Sequence, residues 1–324
     1  MPNLFIMTTG KSLLENLEKQ NNNTQAQKAA RQLSGKLPNN LSQLYERPDT
    51  YWTKDTQTII KYYASRYNTL SLGETATAEI ASLFYLAQST QSPRLQSEDE
   101  VIFLTSDTNT GVFCALVNAY LLAGGDSDRI CIWEDSPLLC SRKIAWDLPV
   151  SPNDALQKLV TSQIDIIPIP NLDPTRPQQF SLNPNSPTET GLYKLGIVLA
   201  KLIHRAEENG QRPVINFTGG MKAIVPLLAQ IATFLGSTKR ISNMGGIPLV
   251  CLHEQGDAIM TIPTFAVTID PDWAAAVRND YGNMTDINQL SPKIQPLFHN
   301  EAHKITLSPL GLVLLAILHA QEKH

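Results

Sequence analysis

Three apolar segments of this chain each run straight into a turn built from Gly, Ser and Thr, and then into a second apolar stretch with helical spacing. Leu4–Met7 leads to Thr8-Thr9-Gly10-Lys11-Ser12, with Leu13, Leu14 and Leu17 behind it. Val101–Leu104 leads to Thr105–Gly111 and then to the run Val112–Ala123, which Gly124-Gly125 closes. Val214–Phe217 leads to Thr218-Gly219-Gly220-Met221-Lys222 and then to Ala223–Leu235. A strand that reads as continuously apolar is covered on both faces, which is the condition of a parallel sheet dressed with helices. Ile130–Trp133 and Ile164–Ile169 read as further strands, and Thr56–Arg66, Ala76–Gln88 and Leu192–Asn209 as helices. Pro248–His253 and Ala258–Ile262 read as a strand pair around the turn Gln255-Gly256-Asp257. The alternation predicts an α/β fold: Rossmann-like, with a mainly parallel sheet and helices on both faces. From about Asp270 the pattern changes, and Trp273–Arg278 and Ser308–Gln321 read as helices. The expected organisation is an α/β domain over 1–268 and a small helical, or winged-helix-like, unit over 269–324.

Charge narrows the ligand. The 324 residues carry 26 Lys+Arg against 30 Asp+Glu, a formal charge of −4. Broad gripping of long nucleic acid needs clustered Lys/Arg, so any anionic ligand must be captured by a local device. No window reaches the roughly 18–20 uncharged apolar residues of a membrane span. The first residues lack the basic region of a secretory signal. Cys114, Cys131, Cys140 and Cys251 form no CxxC pair and read as reduced thiols. A cytoplasmic protein with no membrane association is the expectation. His299 and His303 have the i, i+4 spacing of a helical metal pair but lack the Glu of a zincin, so no metal and no cofactor is expected.

The three turns supply the local device. In an open parallel sheet such turns meet at the carboxyl ends of the strands, where ligands bind. Helix N-termini offer free N–H groups and a positive dipole end to phosphate, and glycine lets a ligand approach the backbone. Two of the turns also carry a lysine, Lys11 and Lys222. Neither is a phosphate loop of the GxxxxGK[ST] kind, since Phe5 stands where the first glycine belongs, and no GxGxxG occurs. Plainer readings stand beside these: Ser12 as a cap for the helix at Leu13, Asp107 as a cap or turn former, Lys11 as a solvated lysine, Glu254 as a strand-end carboxylate.

Taken together the motifs resemble a known family. Thr8-Thr9-Gly10-Lys11-Ser12-Leu13-Leu14-x-Asn16 is similar to the N-terminal GTSLL-x-N segment of the CRISPR-associated Rossmann-fold (CARF) proteins of type III CRISPR systems. Ser106-Asp107-Thr108-x-x-Gly111 resembles their SDT-x-x-G turn, and Asn216-x-Thr218-Gly219-Gly220-Met221-Lys222-Ala223 their N-x-TGG-F-K-A segment. His253-Glu254 resembles the family's strand end, and Leu307–Gly311 its C-terminal helical element. Lys11 stands where the family often has Thr, and Met221 where it often has Phe. The likeness is greatest to the stand-alone ring nucleases.

The resemblance implies a homodimer that holds a cyclic oligoadenylate, most simply cyclic tetra-adenylate, across its two-fold axis. It implies cleavage without metal: a ribose 2′-hydroxyl attacks its own phosphorus and leaves a 2′,3′-cyclic phosphate. Lys222 and Ser12 are then the catalytic candidates, Lys222 stabilising charge on phosphorus and Ser12 orienting the 2′-hydroxyl or a phosphate oxygen. Gly219, Gly220 and Met221 would cradle the phosphate, and Thr8, Thr9, Gly10 and Lys11 would line the other side. Asp107 and Thr108 would meet adenine or ribose, and Ser106, Asn216 and Thr218 complete the ligand-binding set. The alternative is a CARF sensor or transcriptional regulator that binds the ring without cutting it. Only 55 residues follow from Asp270, too few for a fused nuclease domain.

Overall fold

The computed structural model describes residues 1–10, 12–19, 24–34, 37, 53–66, 77–91, 93–133, 141–143, 159–173, 176–181, 186–220, 224–236, 241, 243, 245–252, 258–262, 264, 267–279, 286–301 and 304–322. The chain divides into two compact units. The first takes in 1–168, 211–222 and 249–262, and the second 169–210, 223–248 and 263–324.

The first unit is built on a sheet. Its strands are β1 (Asn3–Thr8), β2 (Glu100–Ser106), β3 (Ile130–Trp133), β4 (Ser141–Lys143), β5 (Ile164–Ile169), β6 (Arg212–Asn216), β7 (Leu249–Leu252) and β8 (Ile259–Ile262), in the order β4-β3-β5-β2-β1-β6-β7-β8. β1 pairs in parallel with β2 and β6, β6 with β7, and β3 with β5. Antiparallel strands, β4 and β8, finish the two edges. This is the mainly parallel, Rossmann-like α/β sheet that the apolar runs predict.

Helices α1 (Ser12–Lys19), α2 (Gln25–Ser34), α3 (Lys54–Arg66), α4 (Ala78–Gln88) and α5 (Asn109–Leu122) belong to the same unit. Side chains alternate along a strand, so Phe5 and Met7 of β1 and Val101 and Phe103 of β2 share one face. They join one core with Leu13, Leu17, Ile59, Tyr63 and Phe113 from the helices. Leu4, Ile6, Ile102 and Leu104, on the opposite face, are just as fully buried. Burial on both faces is why these strands read as unbroken apolar runs. Helix α5 is buried from Gly111 to Leu122, and its N-cap is Thr108, whose hydroxyl accepts from Gly111 N. It ends where the sequence predicts, with Gly124 and Gly125 at positive φ and Gly125 N bonded back to Tyr120 O.

The second unit contains α6 (Gly191–Glu208), α7 (Val225–Leu235), α8 (Pro271–Arg278), an antiparallel hairpin of β9 (Phe298–Glu301) and β10 (Lys304–Leu307), and α9 (Pro309–Glu322). Helices α6 and α9 approach closely at Gly196, where a Cβ would come within 2.7 Å of the Ala316 methyl. Tyr193 of α6 and His319 of α9 share a hydrogen bond of 2.7 Å. Val277, Leu290, Leu297, Phe298, Ile305, Leu314 and Leu318 form one apolar core.

The β9–β10 hairpin lies in a stretch expected to be helices joined by loops. His299 sits on β9 and not on a helix, with Nε2 3.1 Å from Thr306 Oγ1 across the hairpin. His303, Cys140 and the turn Gln255–Asp257 lie outside the described residues. Cys114, Cys131 and Cys251 are buried. Among the described residues, no helix is long and apolar enough to cross a membrane.

Candidate functional site

The sheet order brings the three turns together. β2, β1 and β6 are neighbours and parallel, so residues 8–10, 105–108 and 217–220 leave the sheet side by side at its carboxyl edge. The chain passes from β1 to β2 on one side and later returns to β6 on the other. The β1/β6 boundary is therefore the point where connections diverge and a crevice opens in such folds.

At this boundary the first and third turns lock. Thr8, 2% exposed, donates its hydroxyl to Gly219 O over 2.5 Å. Thr9 is fully buried; its N–H donates to Leu104 O at 2.9 Å, and its hydroxyl to Glu79 Oε1 at 3.1 Å. Gly10 and Gly220 touch through their backbones: a Cβ on Gly10 would come within 2.7 Å of Gly220 Cα. Gly220 has φ +86°, a left-handed conformation that glycine adopts without strain. The turns require these glycines for approach and for conformation.

Asn216 and Thr218 build the third turn from within. Asn216 is fully buried; its Nδ2 donates to Ser82 Oγ of α4 at 2.9 Å, and its Oδ1 accepts from Thr218 N at 3.0 Å and from Thr218 Oγ1 at 2.7 Å. Thr218 Oγ1 in turn accepts from Leu252 N at 2.9 Å, fastening the turn to β7. The side chains of Thr8, Thr9 and Asn216 thus hold the turns in shape. Gly10, Thr218 and Gly220 are partly exposed.

In the second turn, Ser106 and Thr108 share a hydrogen bond of 2.8 Å, and both are partly exposed, as is Asp107. Thr108, not Asp107, caps α5. Gly111 permits the tight return of the helix to the strand end, since a Cβ there would meet Ser106 Oγ at 2.6 Å and Thr105 Oγ1 at 2.7 Å.

Lys11, Met221 and Lys222 lie outside the described residues, as do His253, Glu254 and the side chain of Ser12. Ser12 opens α1, directly after the first turn.

One residue of the site escapes sequence reasoning. Glu79, in the first turn of α4, is fully buried beneath Thr9, Gly10 and Gly219, and a Cβ on Gly219 would overlap its carboxyl. Burial pushes its pKa up, against smaller opposing effects from its own backbone N–H, the Thr9 hydroxyl, the Gly10 backbone and the Asn118 side chain. Thr77-Ala78-Glu79-Ile80 reads as an ordinary capped helix start, with Thr77 Oγ1 accepting from Ile80 N. Nothing local in it marks the acid as buried under a turn 140 residues away.

Among the described residues no group of three or more His, Cys, Asp or Glu could hold a metal ion. No family model matches the chain, and no curated protein matches it.

Proposed function

We propose that the chain is a CARF-like ring nuclease that binds cyclic tetra-adenylate at a homodimer interface and cuts it. The observation that carries this reading is the meeting of three Gly/Ser/Thr turns at the carboxyl ends of β2, β1 and β6, with Gly10 and Gly220 in backbone contact. A cradle of backbone N–H groups suits phosphate, and a second copy related by a two-fold would double it around a symmetric ring. Ser106, Asp107 and Thr108 are partly exposed in the second turn, which supports a role for them in meeting ribose or base.

The substrate's own 2′-hydroxyl is the nucleophile, so the protein needs to align it and to stabilise charge on phosphorus. Lys222, two residues beyond Gly220, supplies that charge as a point cation on a flexible stem. Ser12, two residues beyond Gly10, orients the attacking hydroxyl or a phosphate oxygen. The bond from phosphorus to the 5′-oxygen breaks as the 2′-oxygen attaches, which leaves a 2′,3′-cyclic phosphate and a 5′-hydroxyl. In type III CRISPR systems this would switch off the signal. Incubation with the ring in EDTA, with products resolved by chromatography and mass, tests the reading; a ring that survives long incubation contradicts it.

A sensor that binds the ring and regulates DNA is the second reading, and the helix–hairpin–helix order α8, β9–β10, α9 favours it. Against it, α9 is buried from Gly311 to Leu318, which leaves little of that helix to read a groove. A salt-dependent shift of promoter DNA would decide for it.

A further inference from the structure

Glu79 has no place in the reaction just described, yet it sits where the turns that would hold the ligand are joined. Its carboxyl is fully buried, accepts from Thr9 Oγ1 at 3.1 Å and fills the space where Gly219 lacks a side chain. Three residues on, the same helix holds the third turn a second way, through Ser82 Oγ and Asn216 Nδ2 at 2.9 Å. Helix α4 is therefore the part against which both turns are set: Glu79 touches the first and third, and Ser82 fixes the strand end that feeds the third.

The second carboxyl oxygen is the unusual one. Glu79 Oε2 is buried without a hydrogen-bond partner among the described residues. Asn118 of α5 lies close enough to lower the carboxyl's pKa, but its Oδ1 and Nδ2 also lack partners in hydrogen-bond geometry. An ionised carboxylate in such a place would face a large desolvation cost, which no ion pair offsets among the described residues. A protonated carboxyl faces a smaller one and can donate toward Asn118.

We propose that Glu79 is a positioning residue, which as a neutral acid sets the spacing between the Thr9–Gly10 and Gly219–Gly220 turns and so makes the site pH-sensitive. The upward pKa shift from burial agrees with this. Among the described residues, the titratable group that faces it is Cys114 of α5, whose thiol is itself pushed up by burial and by Glu79. That thiol stays protonated over the range that matters for the carboxyl. The proposal rests on the ligand reading above, but only in what the turns are for; the buried acid and the turn spacing are properties of the free protein.

The sign follows from linkage. With the folded pKa above the unfolded value of 4.5, the native state holds a proton that the unfolded chain releases, so stability falls as pH rises. The loss reaches up to about tenfold in the folding equilibrium per pH unit while the native carboxyl stays protonated.

The experiment compares wild type, Glu79→Gln and Glu79→Leu. Urea unfolding of the ligand-free proteins from pH 5.5 to 8.5 should show wild type losing stability with pH more steeply than Glu79→Gln; parallel curves overturn the neutral acid. Amide exchange at one fixed pH should keep the Thr9, Phe217 and Thr218 amides, which donate to Leu104 O, Val250 O and Asn216 Oδ1, protected in Glu79→Gln and expose them in Glu79→Leu. Equal protection in both overturns the positioning role. With cyclic tetra-adenylate, Glu79→Gln should hold kcat/KM within about threefold, and Glu79→Leu should lose tenfold or more. If wild type neither binds nor cuts the ring, the ligand reading fails while the first two measurements still decide on Glu79. If Glu79→Leu does not fold, the pH comparison of wild type with Glu79→Gln decides alone.

Discussion

Gly10 and Gly220, 210 residues apart in the chain, meet backbone to backbone, so that a Cβ on the first would stand 2.7 Å from Cα of the second. This contact closes the β1 turn against the β6 turn and determines how far apart their N–H groups lie. Gly10→Ala forces the turns apart, and Gly220→Ala adds strain from φ +86° and a Cβ 2.8 Å from the Thr9 carbonyl carbon. Each should destabilise the protein by about 1–3 kcal/mol. Each should also weaken cyclic tetra-adenylate binding at least tenfold by calorimetry, measured under conditions where the variant is folded. Ring affinity unchanged in both would mean that the turns do not hold it.

Thr8 offers a subtler version of the same test. Thr8→Val keeps the shape but removes the donor to Gly219 O, leaving a buried carbonyl with one bond fewer. A loss of about 1–3 kcal/mol in urea unfolding is expected. Thr8→Ser should recover most of it.

Asp99 provides the control away from the turns. Its carboxylate accepts from Asn3 N at 2.7 Å, Asn3 Nδ2 at 2.9 Å and Gln96 N at 2.8 Å, at the start of β1 and the opposite end from the site. Asp99→Ala leaves a buried N–H unpaired and should cost about 2 kcal/mol or more. Ring affinity per folded molecule should stay within about twofold, since the six-residue strand separates the two ends by roughly 17 Å.

The proposed chemistry is tested at the two turns to which it is assigned. Lys222→Ala should lower single-turnover cleavage by about a hundredfold or more, the size expected when charge stabilisation in a transition state is removed. Ser12→Ala should lower it less, with ring binding largely kept in both. Normal turnover in Lys222→Ala would remove the lysine from the mechanism.

Much of this arrangement was legible in the residues, and the limits have physical causes. The strands that make the sheet announced themselves because both faces are buried, leaving Leu4–Met7 or Val101–Leu104 no polar side to confuse the pattern. The glycines announced the turns because no other residue fits Gly10 or Gly220. The hydroxyls of Thr8 and Thr9 and the amide of Asn216 read as ligand-facing by their place in the motifs, yet they bond inward. A sequence gives the position of a turn but not which way its side chains point. Glu79 was invisible for a related reason: its burial comes from Gly219, far along the chain. The β9–β10 hairpin went unseen because four-residue strands such as Lys304–Leu307 are too short to show a period of two.

The central claim is that the protein cuts a ring of adenylates using the substrate's own 2′-hydroxyl. Purified protein incubated with cyclic tetra-adenylate in excess EDTA, with products separated and weighed by mass spectrometry, tests it most directly. The account predicts linear oligoadenylates ending in 2′,3′-cyclic phosphate, formed by wild type and strongly reduced in Lys222→Ala. An intact ring after prolonged incubation, or products bearing a 5′-phosphate and a free 3′-hydroxyl, would contradict it.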